Sequence, residues 1–221
     1  MKKRLSTDIF FLLLFLFLSC KSLENQKFRI IKIPESYKVL AQTEGDLDND
    51  RVPEKVIVYE TGKITDLGTE RQIFIYKNKN SKWVLWKKSI GAVLPSEHGG
   101  VMGDPFEGIS IERNSIVINH FGGSRQKWNY THKFRYKNGD FQLIEANIYF
   151  GSPCDYFFTF DYNLITGRIN YQKETENCEN ESLEVEKDQI TSKLEFLPTM
   201  NGFYPGDNEL KFPNSEIIIY Y

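Results

Sequence analysis

Short runs of apolar and aromatic residues alternate with polar positions along most of the chain, which is the pattern of half-buried β-strands. The runs are rich in Ile, Val, Phe and Tyr, and turn-forming pairs such as Asn138-Gly139 and Thr166-Gly167 separate them. The pattern predicts strands at residues 55–60, 71–77, 83–88, 108–112, 115–121, 128–136, 141–150, 156–162, 168–172 and 217–221. Only residues 183–196 have a spacing that suits a helix, and that segment suits an edge strand equally well.

These elements predict an all-β fold with one mainly antiparallel domain over residues 28–221, which is sandwich-like or resembles an incomplete propeller. Two hairpins are predicted, at residues 134–143 and 158–171, because their turn residues favour the positive φ angles that match strand twist. No Gly/Ser-rich or Pro-rich linker divides the chain, and no repeat of fixed period indicates a complete propeller. The segment 201–214, which contains Pro and Gly, is predicted to lie on the surface.

The N-terminus has the pattern of an export signal. Residues 1–4 are basic, residues 9–18 form an unbroken apolar run, and Ser19 and Cys20 follow it. The run is too short to cross a bilayer, because a spanning helix needs about 20 apolar residues. The sequence therefore predicts that residues 1–19 direct the protein out of the cytoplasm.

The arrangement Leu16-Phe17-Leu18-Ser19-Cys20 resembles the lipobox of bacterial lipoproteins, although Phe17 stands where an aliphatic residue is usual. The resemblance implies a signal peptide at residues 1–19, a Cys20 carrying fatty-acyl chains such as palmitate, and a tether at residues 20–27. It implies a protein of the bacterial cell envelope, attached to the inner or the outer membrane through its lipid. The alternative is an ordinary signal peptide in which Cys20 has no special role.

Composition limits the remaining possibilities. The chain has 28 basic and 30 acidic residues, and removal of residues 1–19 leaves 25 and 29, a mildly acidic balance. Nucleic acid is excluded as a general partner, since such proteins carry a strong basic excess. Two cysteines remain after Cys20, and in an oxidising compartment an even count predicts a disulfide between Cys154 and Cys178. Free thiols or a metal site are the alternatives.

An acidic loop precedes the first predicted strand. Asp46, Asp48 and Asp50 alternate with other residues, and Glu54 follows. In a tight loop these carboxylates, together with the backbone carbonyl of Val52, supply the hard oxygen ligands that Ca²⁺ prefers. The alternative is a solvated acidic turn that contains no ion.

The same loop resembles the D-x-D-x-D-G-x-x-D pattern of FG-GAP or integrin-type calcium loops, and the likeness covers about 30 residues in a single copy. It implies the same ligand set. Arg51 stands where the pattern has Gly, and Glu54 replaces the usual Asp. Ile57 occupies the twelfth loop position, where an EF-hand requires Glu, so the loop is not an EF-hand. A bound Ca²⁺ is expected to be structural.

Two Gly-rich segments, residues 97–106 and 122–128, flank a predicted hairpin that would bring them to one end of a sheet. This placement predicts a recognition surface for a carbohydrate or protein ligand, through ring stacking and bidentate hydrogen bonds. Its candidate residues are His98, Asp104, Arg125 and Trp128. Alternatively, the glycines serve only turns and Trp128 fills the core. The segments also resemble parts of uncharacterised exported bacterial proteins, which implies no activity.

Signatures of catalysis are sparse. The chain lacks the G-x-S-x-G, H-E-x-x-H and P-loop motifs, and His98, His120 and His132 lack the spacing of metal ligands. A hydrolytic site would use Ser124 as nucleophile, with His98 as base and Asp104 to orient it. The sequence thus predicts a lipid-anchored envelope binding module with a Ca²⁺-stabilised loop. A hydrolase and a structural or assembly accessory of the envelope are the alternatives.

Overall fold

The computed structural model describes residues 33–212 and 217–221. The predicted signal peptide, Cys20 and the tether therefore lie outside the described residues. Over the described ranges the chain forms strands and loops, without a helix that is long and apolar enough to cross a membrane.

The described residues form thirteen strands. In chain order they are β1 (Lys38–Gly45), β2 (Glu54–Thr65), β3 (Gly68–Lys79), β4 (Lys82–Ile90), β5 (Phe106–Glu112), β6 (Ser115–Gly123), β7 (Lys127–Lys137), β8 (Asp140–Gly151), β9 (Tyr156–Asn163), β10 (Arg168–Asn177), β11 (Ser182–Thr191), β12 (Glu209–Lys211) and β13 (Ile218–Tyr220). Strands β1–β4 form a four-stranded sheet, β5–β11 a seven-stranded sheet, and β12 and β13 a C-terminal hairpin.

Both larger sheets are antiparallel meanders, in which each strand pairs with the next along the chain. Their apolar faces share one core, to which Val58 and Ile75 contribute from the first sheet and Phe134 and Phe160 from the second. Trp86 on β4 lies with its ring centroid 4.4 Å from that of Tyr136 on β7. The predicted all-β, single-domain, sandwich-like fold is confirmed.

The turns follow the local sequence. The β7–β8 turn places Asn138 at φ 53° and Gly139 at φ 88°, as the predicted Asn-Gly hairpin requires. The β9–β10 connection closes with Gly167 at φ 78°, next to a buried Leu164. A disulfide joins Cys154, just before β9, to Cys178 after β10, with an S–S distance of 2.07 Å. Both hairpins and the disulfide are confirmed.

The structure differs from the predictions in some segments and decides one open alternative. The pattern missed β1 and β12. The ambiguous segment 183–196 begins as the edge strand β11, whose residues are almost all exposed. The segment 201–214 was predicted to be surface, but the prediction is wrong for Phe203 and Phe212, which are 3% and 4% exposed. Their aromatic rings fill the core beside the seven-stranded sheet, where burial of an aromatic side chain outweighs the turn-forming character of its neighbours.

Candidate functional site

The acidic loop connects β1 to β2, and its three aspartates converge. One carboxylate oxygen from each of Asp46, Asp48 and Asp50 lies within 4.8 Å of the others. The loop backbone holds Asp46 in place, because Asn49 N–H donates to its Oδ1 at 2.7 Å and Arg51 N–H donates to its Oδ2 at 3.0 Å. The arrangement concentrates negative charge at one point.

Arg51 adopts the left-handed backbone conformation that the calcium-loop pattern assigns to Gly, with φ 67°. This conformation costs a residue with a Cβ atom about 1 kcal/mol or more. The bond from its N–H to Asp46 offsets part of this strain. Arg51 therefore adopts the positive φ angle at this position in spite of its side chain.

Glu54 does not belong to the convergent group of aspartates. It is 1% exposed, and its Oε2 accepts the N–H of Leu47 at 2.7 Å. The pKa of Glu54 is raised to about 7, chiefly by burial and to a smaller extent by the charges of Asp48 and Asp50, against the opposing effects of Leu47 N–H and Lys77. Only the three aspartates of the predicted ligand set form the convergent group.

Lys77 on β3 supplies the nearest positive charge. Its ammonium group contacts the carboxylate of Asp48 and lies 3.9 Å from Oε1 of Glu54. It also lies 4.1 Å from the ring centroid of Trp86, and its side chain is 13% exposed. The oxygen donors of the loop suit Ca²⁺, but Lys77 shares one of the same carboxylates.

The remaining predicted ligand is Val52. Its side chain is exposed, and its N–H donates to Oδ1 of Asp50 at 2.8 Å. This bond orders the second half of the loop. On the opposite side, Asn114 of the β5–β6 turn donates to the carbonyl oxygen of Asp46 at 2.8 Å. The acidic loop is thereby attached to both sheets of the sandwich.

The two Gly-rich segments meet at one end of the sandwich, as the sequence predicted. Gly123 N–H donates to the carbonyl of Gly99 at 2.9 Å, and Gly99 N–H donates to that of Gly103 at 3.0 Å. Added atoms would not fit in this contact, since a Cβ on Gly99 would lie 2.3 Å from the Gly103 oxygen. Close backbone approach is therefore one function of these glycines.

The predicted side chains in these segments diverge. His98 shares a hydrogen bond of 3.2 Å with the hydroxyl of Tyr204, and burial lowers its pKa. Asp104 accepts from Arg71 at 2.7 Å and from Phe106 N–H at 2.9 Å. Burial alone would raise the pKa of Asp104, but these hydrogen bonds hold it below its ordinary value.

Arg71, which no sequence pattern singled out, accounts for the position of Asp104. Its side chain is fully buried and also donates to Oε1 of Glu60 at 3.1 Å and to the carbonyl of Leu94 at 3.3 Å. Asp104 thus neutralises a buried cation. Among the described residues, no hydrogen bond links Ser124, His98 and Asp104 to one another, so the hydrolytic alternative gains no support.

Trp128 lies in a groove of about 480 Å³, here called the aromatic groove. Its indole stacks on Tyr130, with ring centroids 5.1 Å apart, and crosses Gly122, where a Cβ would lie 2.3 Å from Cζ2 of Trp128. The lining residues are Gly123, Ser124, Gln126, Lys127, Trp128, Tyr130, Phe150, Ile218 and Tyr220. Of the predicted surface residues, only Trp128 lines this groove, and Arg125 is exposed on the adjoining turn.

Sequence reasoning missed the other rings of the aromatic groove. Tyr130 could have been identified from the sequence. It lies two residues after Trp128 in the same predicted strand, and residues two apart in a strand share a face. Phe150 pairs with Trp128 across β7 and β8, and Tyr220 comes from the C-terminal hairpin. Those two depend on strand register and on chain folding, for which the local pattern carries no signal.

His120 and His132 are both fully buried on neighbouring strands. Nε2 of His120 accepts the N–H of Leu94 at 3.2 Å, whereas neither ring nitrogen of His132 has a hydrogen-bond partner in the described chain. Burial lowers the pKa of each to about 3, and neighbouring charges contribute less. Both imidazoles are therefore neutral at physiological pH and belong to the core.

Comparison of the chain with family models, with curated proteins and with solved structures gave no significant match. The acidic loop and the aromatic groove are therefore the features from which a function can be inferred. The first offers hard oxygen donors, and the second offers stacked rings with a polar rim.

Proposed function

We propose that this chain is a lipid-anchored binding module of the bacterial cell envelope, and that it takes a carbohydrate ligand in the aromatic groove. The observation that carries the proposal is the groove itself, in which Trp128, Tyr130 and Tyr220 lie beside polar groups. Aromatic rings offer flat apolar faces on which sugar rings stack, and a few placed polar groups fix orientation. Ser124, Gln126 and Lys127 supply such groups at the rim.

Charge also favours an uncharged ligand. The chain without residues 1–19 is mildly acidic, and among the described residues that line the groove Lys127 alone carries a full charge at neutral pH. A single lysine provides little of the charge excess with which polyanions are bound. A neutral oligosaccharide matches this balance.

The binding test uses soluble neutral glucans, mannans and xylans as probes in affinity electrophoresis, followed by fluorescence titration. Replacement Trp128→Ala should weaken binding at least tenfold, because it removes the stacking ring. Trp83→Ala is the matched control. Trp83 lies on β4, where its ring contacts the ammonium group of Lys55, and it does not line the groove. Two results would contradict the proposal. Either the Trp128→Ala variant binds as tightly as the wild type, or none of the polysaccharides retards the wild-type protein in the gel.

The anchor is tested separately. Cys20 and the lipobox-like residues before it support acylation, and two or more acyl chains anchor a domain stably. Native protein should partition into the detergent phase and lose residues 1–19, as shown by intact mass, and Cys20→Ser should remain aqueous. Native material that is aqueous and retains Met1 would refute the anchor while leaving the aromatic groove untouched.

The acidic loop supports a second part of the proposal, in which Asp46, Asp48 and Asp50 bind Ca²⁺ as a structural clip. Their convergence and the bond from Asn114 favour this role, since a cation there would stabilise a loop that touches both sheets. Calorimetry with millimolar Ca²⁺ should detect binding that Asp48→Ala abolishes. An absence of heat with the wild type would reject the clip.

A further inference from the structure

The last strand of the seven-stranded sheet has one open edge. Strand β11 runs for 10 residues and pairs with β10 in unbroken register, and within the described chain no strand pairs with its other side. Nearly all of its residues are exposed, including Leu183 at 61% and Val185 at 48%. It has neither a proline nor a β-bulge, two devices that commonly protect an edge from a further strand. The edge is therefore able to accept one.

The register shows which backbone groups face the open edge. Just beyond β11, Ser192 N–H donates to the carbonyl of Gly167 at 2.8 Å, in the turn that leads into β10. Because backbone groups alternate between the two sides of a strand, the even-numbered residues of β11 bond β10 and the odd-numbered ones face outward. Gln189 agrees with this assignment, since its N–H donates to the side chain of Asp188 at 2.7 Å. Three residues therefore present both backbone groups to the open edge, namely Leu183, Val185 and Lys187.

Negative charge is concentrated along the same strand. Residues 176–191 contain six acidic side chains and one lysine, which is a larger net negative charge than that of the whole chain without residues 1–19. Glu184, Glu186 and Asp188 share one face of β11, here called the acidic face. Among the described residues none of these three forms an ion pair. A strand added at the open edge would place its own side chains directly opposite these carboxylates.

The acidic face argues against a second copy of the chain as the added strand. In an antiparallel pairing of two copies across a two-fold axis, even-numbered residues of one β11 lie opposite even-numbered residues of the other, because opposite side chains share a face. In every register that overlaps most of the strand, two acidic residues then meet, such as Glu186 with Glu186 or Glu186 with Asp188. Like charges directly opposite each other are destabilising. The strand that fits is a basic one.

The exposed hairpin that carries this edge is fixed at its far end. Cys178, which follows β10, is joined by the disulfide to Cys154 in the β8–β9 turn. Glu176 N–H donates to the carbonyl of Asp155 at 2.8 Å, and Cys154 N–H donates to Oε2 of Glu176 at 2.9 Å. These bonds attach the end of β10, and with it β11, to the rest of the sheet. A strand that is already ordered loses little conformational entropy when another strand joins it.

We propose that the open edge of β11 binds an extended basic segment of a partner protein by strand addition. Main-chain hydrogen bonds to the three outward-facing residues supply affinity, and basic side chains at alternate positions, opposite the acidic face, supply specificity. The site is separate from the aromatic groove, because no residue of β11 lines that groove.

The test uses the full chain and a blocked, fluorescein-labelled peptide in which lysine alternates with valine over the length of β11. Binding is measured by fluorescence anisotropy. Glu186→Lys should weaken binding at least tenfold, because it places a positive charge opposite the lysines of the peptide. Glu107→Lys is the matched control. It makes the same change of charge on β5, the strand at the opposite edge of the sheet, and should bind as the wild type does.

A second variant separates strand addition from adsorption by charge alone. Val185→Pro removes an outward N–H and retains every acidic side chain, and the fold is kept because this N–H does not bond β10. It should weaken binding at least tenfold, whereas Val185→Thr, which retains the N–H and a β-branched side chain, should bind as the wild type does. In the wild-type complex, the amide protons of Leu183, Val185 and Lys187 should exchange at least tenfold more slowly than in the free protein.

Three results would overturn the inference. An absence of peptide binding by the wild type removes the site. Equal binding by the wild type and Val185→Pro, or amide exchange that the peptide leaves unchanged, shows adsorption by charge only. Sedimentation of the free wild type as a dimer that Val185→Pro converts to a monomer shows that a second copy occupies the edge. Each of these outcomes leaves glycan binding in the aromatic groove unaffected.

Discussion

Acidification below about pH 6.5 should lower the free energy of unfolding of this protein. The cause is the pair of buried histidines, His120 and His132, whose pKa values burial lowers to about 3 in the folded state. In the unfolded chain both rings have the ordinary value of 6.5. Between these values the two histidines bind two protons in the unfolded state and none in the folded state, so their contribution to the free energy of unfolding falls as the pH falls. Glu54 opposes part of this change, because its folded pKa is raised from 4.5 to about 7 and the folded state therefore gains a proton in the same range.

The size of the effect follows from the same numbers. Each unit of pH is equivalent to about 1.4 kcal/mol per proton, so the limiting slope for two histidines is about 2.7 kcal/mol per unit. Because protonation of the unfolded chain begins near pH 6.5, the histidine contribution falls by about 3 kcal/mol between pH 7.5 and 5.5. Protonation of Glu54 in the folded state offsets about 2 kcal/mol of this, so the net loss is about 1 kcal/mol. A typical domain has only about 5–15 kcal/mol in total.

Urea unfolding at pH 7.5, 6.5 and 5.5 measures this loss, and His132→Leu isolates one of the two protons. At pH 7.5 this variant should be at least as stable as the wild type, because neither ring nitrogen of His132 has a partner in the described chain. Between pH 7.5 and 5.5 its stability relative to the wild type should rise by about 1.4 kcal/mol, which is the contribution of one histidine. His120→Leu is the matched control, which should show the same relative rise but be destabilised at pH 7.5, since Leu94 N–H loses its acceptor. An unchanged pH dependence in His132→Leu would refute the reasoning.

Three further perturbations have defined outcomes. Replacing both cysteines of the disulfide by serine should lower the free energy of unfolding by about 3 kcal/mol in a denaturant titration, because the bridge spans a sequence separation of 24 residues, and no loss would contradict the loop-entropy account. Asp104→Asn should lower the free energy of unfolding by about 2 kcal/mol, because Arg71, the partner of Asp104, is fully buried. Asp140→Asn is the control and should change it by less than about 0.5 kcal/mol, because the ion pair of Asp140 with Lys87 is long and partly exposed. Equal losses would show that Asp104 is not the principal counter-charge. Gly122→Ala should displace the Trp128 ring, which shifts the tryptophan emission spectrum and weakens glycan binding in the fluorescence titration, and an unshifted spectrum would show that the indole does not cross this position.

The fold was predictable where local sequence determines structure. Alternation of apolar residues located the central strands, and Asn138-Gly139 fixed one hairpin, because its positive φ angles depend on those two residues alone. Strand β1 was missed since Lys38–Gly45 has few large apolar residues and pairs on one side only. Strand β11 was ambiguous for a related reason. An exposed edge strand buries neither face, so its sequence lacks the alternation of apolar and polar residues that identifies a strand.

The candidate sites divide in the same way. Asp46, Asp48 and Asp50 converge through hydrogen bonds within one short loop, so their spacing was informative. Lys77 and Arg71 were not identified, because an isolated basic residue in a strand says nothing about which carboxylate it will meet. Both find their partners across distant parts of the chain, and that information exists only after the sheets have packed.

The meander order of the two larger sheets also determines how the chain can assemble. Every strand from β6 to β11 pairs with the strand immediately before it, so each pairing closes only a short loop and loses little chain entropy. A polypeptide that emerges from N- to C-terminus could add one strand at a time without waiting for its far end. Stacking of the two completed meanders is then the slow, non-local step, and mutations at their interface should alter the folding rate more than mutations in the turns.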